Sequence, residues 1–345
     1  MNEADSKKLA TVMEQQGYKI AKNINQADVV VINTCSVRES AENRVFGLVN
    51  NLSKLKVISS KSKVILTGCM VSSAKGERKR YSLAELKKKL PEVDEFKTID
   101  ELVGNSKLET RNSQTEALIP IMEGCDHFCS YCVVPYARGK EISRSFAEII
   151  CEVKELAKQG CHEVMLLGQN VNSYRPSFAR LLVAAHKIAG IEKISFMTSN
   201  PWGLSEEIIE ALKLPKVARY LHLPVQSGDD GVLKRMNRPY TALQFIKLVK
   251  KIRQAVPEIK IGTDIIVGFP GEDEKAFENT VNLCRKANFA LAYIAKYSPR
   301  QGTAAYKLKD DVSPAEKKRR WQILEKLINK PSPSKGRGDY NTHER

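Results

Sequence analysis

The chain has 345 residues, 42% of them hydrophobic and 28% charged, with eight cysteines and a formal net charge of +16. That length allows two or three domains with their own cores, and the composition is ordinary for a globular protein. The first thirty residues are polar and charged, and no apolar run reaches the roughly 18 residues of a membrane span. Neither a secretory signal nor a membrane partner is therefore expected. In the cytosolic compartment this implies, clustered cysteines serve metal or catalysis rather than disulfides. The positive charge is spread along the whole chain. It fits a polyanionic partner such as nucleic acid, and equally a lysine-rich solvated surface.

In chain order, residues 3–16 are predicted as a helix with Leu9, Val12 and Met13 on one face. After a short Tyr18–Ile20 piece, the run 28–33 (DVVVIN) reads as a buried strand ending at Thr34-Cys35. A charged helix from about Arg38 to Lys56 leads to a second buried strand at Lys63–Thr67, ending at Gly68-Cys69. A helix near Ser82–Leu90 and a strand near Glu95–Ile99 complete a small Rossmann-like α/β unit over 1–103. Both cysteines fall just past the carboxyl ends of parallel strands, where ligands bind in open α/β sheets, so they are expected to face one site. The unit opens with a helix, whereas such units usually open with a strand, so a leading strand is expected in front of Met1.

Residues 104–116 read as a polar linker. From 117 to 329 strands and helices alternate, with strands near Leu118–Glu123, Glu163–Leu167, Lys193–Thr198, Tyr220–Val225, Ile261–Val267 and Phe289–Tyr297. Helices are predicted near 145–159, 177–189, 205–213, 241–255, 273–287 and 314–329. Six such units predict a partial (β/α)6 TIM-type barrel with chemistry at the carboxyl ends of its strands, although an open six-stranded sheet would read the same. Residues 330–345 are expected to be a disordered tail.

The sharpest feature is Cys125, Cys129 and Cys132, spaced C-x3-C-x2-C in one loop directly after a strand. Three soft thiolates can cap three corners of a [4Fe–4S] cube and leave the fourth iron open. A zinc site completed by a remote residue or by His127 is the alternative, although zinc sites usually build on C-x2-C pairs. Cys151, Cys161 and Cys284 lack metal spacing and read as buried small hydrophobes. His222, on a barrel strand, reads either as a cavity-facing group or as a satisfied core histidine.

C-x3-C-x-aromatic-C at a barrel mouth, with Tyr131 in the aromatic place, resembles the radical S-adenosylmethionine (SAM) signature. The continuation Val133-Val134-Pro135-Tyr136-Ala137-Arg138-Gly139 is similar to the methylthiotransferase branch, of the MiaB type that modifies isopentenyladenosine in tRNA. Further matching segments are Leu167–Tyr174, His222–Gly228, Lys234–Arg238, Thr263–Glu272 and Tyr297–Thr303, with Met1–Ser6 and Asn33–Arg38 in the first unit. The resemblance covers about residues 1–328.

It implies that Cys125, Cys129 and Cys132 hold a [4Fe–4S] cluster whose open iron chelates SAM, and that SAM is cleaved to a 5′-deoxyadenosyl radical. It also implies that Cys35 and Cys69 hold an auxiliary [4Fe–4S] cluster, at which a second SAM methylates a sulfur. The product is a methylthio group on C2 of the adenine. The family's third auxiliary cysteine stands in a Gly-Cys-Gln before the Met-Asn-Glu that opens this sequence, and its terminal TRAM domain has no counterpart here. The auxiliary cluster is thus expected to lack one ligand. Tyr131, Gln169, Asn170, Gln226 and Gly268 are candidate SAM contacts. Arg138, Lys140 and Arg144 are candidate contacts to phosphate or to the SAM carboxylate, or else solvated charge. Expected partners are the tRNA anticodon loop and an electron donor such as flavodoxin or ferredoxin, for a monomeric enzyme. The rival readings are another acceptor (threonylcarbamoyladenosine or a ribosomal protein), a fragment that cleaves SAM without sulfur transfer, and a non-catalytic zinc RNA-binding protein.

Overall fold

The computed structural model describes residues 1–36, 39–56, 62–104 and 115–330. Val37, Arg38, most of the expected linker and the expected tail from 331 onward lie outside the described residues.

The first sheet is β1 (Val29–Thr34), β2 (Lys63–Gly68) and β3 (Glu95–Phe96), all parallel and in that order. Its β-branched residues alternate between two packed layers, as a strand covered on both faces requires. Ile32, Val64 and Leu66 join α2 (Glu39–Lys56), α3 (Cys69–Lys75) and α4 (Leu83–Lys89) in one core. Val31 packs on the other side with Leu9 and Val12 of α1 (Asn2–Gln15) and Val103 of α5 (Ile99–Val103). One expectation fails here. The strand predicted at Glu95–Ile99 is only two residues long, because Thr98 and Glu101 form a capping box that starts a helix at Ile99. Residues Tyr18–Ile20 belong to no strand or helix, and Ile20 is exposed.

The second unit begins with β4 (Glu116–Pro120), β5 (Met122–Glu123), the four-residue helix α6 (Val134–Ala137) and β6 (Ile142–Ser143). The strand predicted over Leu118–Glu123 is broken at Ile121, because β5 turns away to pair antiparallel with β6. There follow α7 (Phe146–Lys158), β7 (Glu163–Leu167), α8 (Phe178–His186), β8 (Lys193–Phe196), α9 (Glu206–Ala211) and β9 (Tyr220–His222). The chain closes with α10 (Asp230–Arg235), α11 (Ala242–Ala255), β10 (Lys260–Val267), α12 (Glu274–Ala287), β11 (Leu291–Lys296) and α13 (Pro314–Leu324). Helix α10 is an element the sequence reading did not anticipate.

Strands β4-β7-β8 and β9-β10-β11 are parallel sheets, joined by a parallel bridge between Ile194 and Val217. A hydrogen bond from Ser199 N to His222 O, 3.3 Å, ties the same two strands further along. The six strands thus run in chain order with no reversal. A doubly wound open sheet would need a reversal point, so the arrangement is a partial (β/α)6 barrel. Residues from β4, β7, β8, β9 and β10 and from the surrounding helices share one continuous core. Among the described residues no helix is long and apolar enough to cross a membrane.

His222 is a satisfied core histidine. Its Nε2 lies 3.1 Å from Asp264 Oδ1, and its Nδ1 lies 3.3 Å from the Tyr220 hydroxyl. Cys161 and Cys284 are buried as expected, but Cys151 is exposed. On α7 the buried stripe is Ile149, Val153 and Leu156, and Cys151 points about 200° away from Ile149.

Candidate active site at the barrel rim

The pairing of β5 with β6 sets Met122 opposite Ser143 and Glu123 opposite Ile142, so residues 124–141 form a closed excursion carrying all three clustered cysteines. Gly124 opens it at φ +80°, and a Cβ there would sit 1.8 Å from the Lys140 carbonyl oxygen. Only glycine fits that turn. Gly124→Ala is expected to splay the loop and cut iron uptake on reconstitution to a small fraction of wild type. Iron quantitation checks this, and unchanged uptake would contradict it.

The excursion is pinned to the 234–238 segment. Ser130 N donates to Met236 O (3.0 Å), Ser130 Oγ to Arg235 O (2.8 Å) and Asn237 Nδ2 to Phe128 O (2.8 Å). Within it, Val133, Pro135 and Ala137 are buried. Tyr131 packs against the cluster of Val232, Met236, Phe269 and Tyr297.

Each of the three sulfurs has its own N–H donor. Asn170 Nδ2 lies 3.0 Å from Cys125 Sγ, Arg238 Nη1 3.5 Å from Cys129 Sγ, and the Val134 backbone nitrogen 3.5 Å from Cys132 Sγ. Burial pushes the Cys132 thiol up to about 12, with Cys129 beside it adding to the effect. Burial also raises Cys125, opposed by hydrogen bonds from the His127 backbone and from Asn170. Both shifts favour the protonated thiol, so iron binding at Cys125 and Cys132 displaces protons. Burial and the adjacent Arg238 lower the pKa of His127, whose ring packs edge-on against Trp202 at 4.9 Å.

Cys35 follows β1, and Cys69 is the first residue of α3, directly after β2. Burial raises the Cys69 thiol, while the charge of Arg138 opposes that rise, and the Cys69 sulfur donates to Asn2 Oδ1 at 3.9 Å. Around this pair, Asn33 Oδ1 and Ser36 Oγ are buried without a hydrogen-bond partner among the described residues.

Arg138 joins the two cysteine sites. Its Nη2 is 2.6 Å from both Asn2 Oδ1 and Asp5 Oδ2, and its Nη1 is 2.8 Å from Glu123 Oε1. It is neither a phosphate contact nor solvated charge, because its fork is spent on these partners and its side chain is only 8% exposed. Arg144 is similarly committed, to Pro120 O and Glu152. Lys140 is exposed and pairs with Glu77 at 3.0 Å. A second bridge runs from the first unit: Arg78 donates to Cys125 O (3.2 Å) and Asp126 Oδ1 (2.9 Å) and covers the Phe128 ring at 4.9 Å.

The remaining sequence candidates line the same rim. Asn170 is spent on Cys125, and Gln169 Oε1 is buried with no partner among the described residues. Gln226 adopts φ +68° where its backbone pairs with β10, a strained conformation of the kind found at ligand sites. Gly268 is at φ +70°, with a Lys317 methylene 2.3 Å from where a Cβ would be. Its N–H is used by the Glu272 carboxylate. Close packing, rather than ligand access alone, therefore calls for glycine there.

Residues 119–284 match the profile of the Radical SAM superfamily, and residues 1–97 that of the uncharacterized protein family UPF0004. A tRNA-2-methylthio-N(6)-dimethylallyladenosine synthase of Thermoanaerobacter sp. (strain X514) is 41% identical over 362 residues, spanning 97% of this chain and 77% of that protein. The chain belongs to the radical SAM tRNA methylthiotransferase family. Members carrying the same name from Dehalococcoides mccartyi and Clostridium tetani are 43% and 41% identical, over 95% and 96% of this chain and 79% of each relative. Among solved structures, the radical SAM methyltransferase TsrM of Kitasatospora setae, with cobalamin and a [4Fe-4S] cluster bound, superposes with TM-score 0.59. It is 15% identical over 88% of this chain and 73% of that one, which is a likeness of fold.

Radical SAM enzymes use a [4Fe–4S] cluster and SAM, and the methylthiotransferase rim fits such a group. Its donors are three soft thiols on one loop, each beside an N–H, with an unpartnered Gln169 oxygen at the same strand ends. Among the described residues no three His, Cys, Asp or Glu side chains converge on a point as one metal ion would require. A cube asks less, because each thiolate meets its own iron.

Proposed function

We propose that this chain transfers a methylthio group to C2 of N6-isopentenyladenosine in tRNA, the isoprenoid-bearing adenosine that its relatives' name calls dimethylallyladenosine. In this reading residues 1–103 and 117–329 are the two working units. Cys125, Cys129 and Cys132 hold the SAM-binding cluster, and Cys35 and Cys69 serve an auxiliary one. A C2–H bond of adenine has no useful acidity near neutral pH, so acid–base side chains cannot activate it. The bound clusters and SAM supply the one-electron chemistry that can, together with the sulfur and the methyl group.

The chain's own residues hold and shield this chemistry. Arg78 and Arg138 lock the first unit over the barrel mouth, which limits water at the reacting centre. Tyr131 braces the cluster loop from behind, and Gln169 and Gln226 offer polar groups for the amino-acid end of SAM. The single observation that carries the reading is Arg138, which leaves the radical cluster loop and shares Asn2 Oδ1 with the Cys69 sulfur on the first unit. Two cysteine sites joined by one side chain suit a reaction in which a radical step and a sulfur transfer meet on one substrate. The partners are the tRNA anticodon loop, whose bases can be splayed out for chemistry, and a low-potential one-electron carrier such as flavodoxin or ferredoxin. The enzyme acts as a cytoplasmic monomer.

A choice of acceptors tests this. Reconstituted protein is offered a mixture of tRNAs carrying isopentenyladenosine and threonylcarbamoyladenosine, and the nucleosides are resolved by mass spectrometry. The methylthio mass increment should fall on the isopentenyl nucleoside alone. Its appearance on the threonylcarbamoyl nucleoside instead would overturn the assignment.

A further inference from the structure

Arg238 is a half-buried guanidinium with no carboxylate paired to it among the described residues. Its Nη2 donates to Pro224 O (2.7 Å) and its Nε to the Tyr240 hydroxyl (3.1 Å). Its flat face lies 4.6 Å from the centre of the Trp202 ring and 5.3 Å from that of Tyr240. The remaining fork atom, Nη1, points at Cys129 Sγ, 3.5 Å away. Carbonyl, phenol and aromatic partners orient the cation without neutralising it. A charge partly withdrawn from water favours a counter-charge, and the sulfur its fork reaches is that of Cys129, which is an anion once it binds iron.

The other two sulfurs are treated differently. Cys125 receives the neutral amide of Asn170 at 3.0 Å, and Cys132 only a backbone N–H at 3.5 Å. When one electron enters a cluster on these thiolates, the site becomes one unit more negative and takes up no proton. Donors and cations at the sulfurs stabilise that reduced form, and hydrogen bonding to sulfur is one of the terms that set cluster potentials. A full charge held in place by Pro224, Tyr240 and Trp202 acts more strongly than a neutral amide.

We propose that Arg238 is the counter-ion of the three-cysteine centre and, together with Asn170, sets its reduction potential within reach of a low-potential one-electron donor. The inference rests on a [4Fe–4S] cluster at Cys125, Cys129 and Cys132 and not on which acceptor the enzyme modifies. It is read without tRNA, so its failure is distinguishable from a wrong acceptor.

The experiment is an anaerobic redox titration of reconstituted full-length protein, following the electron paramagnetic resonance signal of the reduced cluster. A Cys35→Ala/Cys69→Ala background leaves one cluster to report. Arg238→Gln should shift the one-electron equilibrium toward the oxidised form by about tenfold or more, about 59 mV for each tenfold. Asn170→Ala should shift it the same way by less, and Arg238→Lys, which keeps the charge and loses the fork, should fall between Arg238→Gln and the parent. If Arg238→Gln does not take up iron, Arg238→Lys and Asn170→Ala decide. Iron-replete variants that all titrate with the parent would overturn the proposal. So would a shift toward the reduced form.

Discussion

Cys69→Ala is expected to keep forming 5′-deoxyadenosine from SAM while its methylthiolated nucleoside drops out. The two cysteine sites lie on different units, and the three-cysteine loop is held from the barrel side by Met236, Arg235 and Asn237. Removing the Cys69 sulfur therefore leaves that loop intact and empties the other site. The loss of transfer should exceed the roughly 10–100-fold typical of removing an outer-shell partner, because the proposed ligand itself is lost. Chromatography of both products from one reaction reads the split. Equal loss of deoxyadenosine and methylthio product would show that the sites are not separable in this way.

The second large effect is expected at Arg138. Its side chain and that of Asp5 are each 8% exposed, and Glu123 and Asn2 complete its fork. Arg138→Met leaves the Asp5 carboxylate buried without its cation, a change that costs about 3–5 kcal/mol in comparable buried pairs. The urea midpoint should fall accordingly. Asp5→Leu in the same chain should restore much of it, since the penalty lies in the stranded charge rather than in the lost pair. A midpoint unchanged in Arg138→Met would contradict the buried-clamp reading. In protein that remains folded, product formation should suffer more than SAM cleavage, because the clamp sets how the two sites face each other.

Much of this architecture was legible in the sequence, for identifiable reasons. Buried parallel strands are runs such as VVVIN and KVILT, and their regular alternation with helices gave the barrel strands to within a few residues. Thiol spacing marks out the proposed cluster loop, because few other roles place three cysteines within eight residues after a strand. The errors were local and physical. The capping box at Thr98 and Glu101 was a helix signal overlooked beside an apparent strand. Cys151 lies off the apolar stripe of its own helix, which a closer reading of period would have shown.

Arg238 and Arg138 were harder. In a chain with 56 lysines and arginines, a guanidinium that serves a sulfur looks like one that faces solvent. Arg238 meets Cys129 across 109 positions, and Arg138 meets Asp5 across 133. Such pairings arise only when the barrel closes and the first unit docks on it. The Lys234–Arg238 segment matches the family in sequence, and its role in bracing the cysteine loop is visible only in three dimensions.

The most direct test of the central claim is one anaerobic reaction. Protein reconstituted with iron and sulfide is given SAM, a reductant and tRNA bearing N6-isopentenyladenosine, and both small-molecule and nucleoside products are followed by mass spectrometry. The account predicts 5′-deoxyadenosine together with 2-methylthio-N6-isopentenyladenosine, and neither from the Cys125→Ala variant. Cluster-loaded wild-type protein that yields neither product would contradict it.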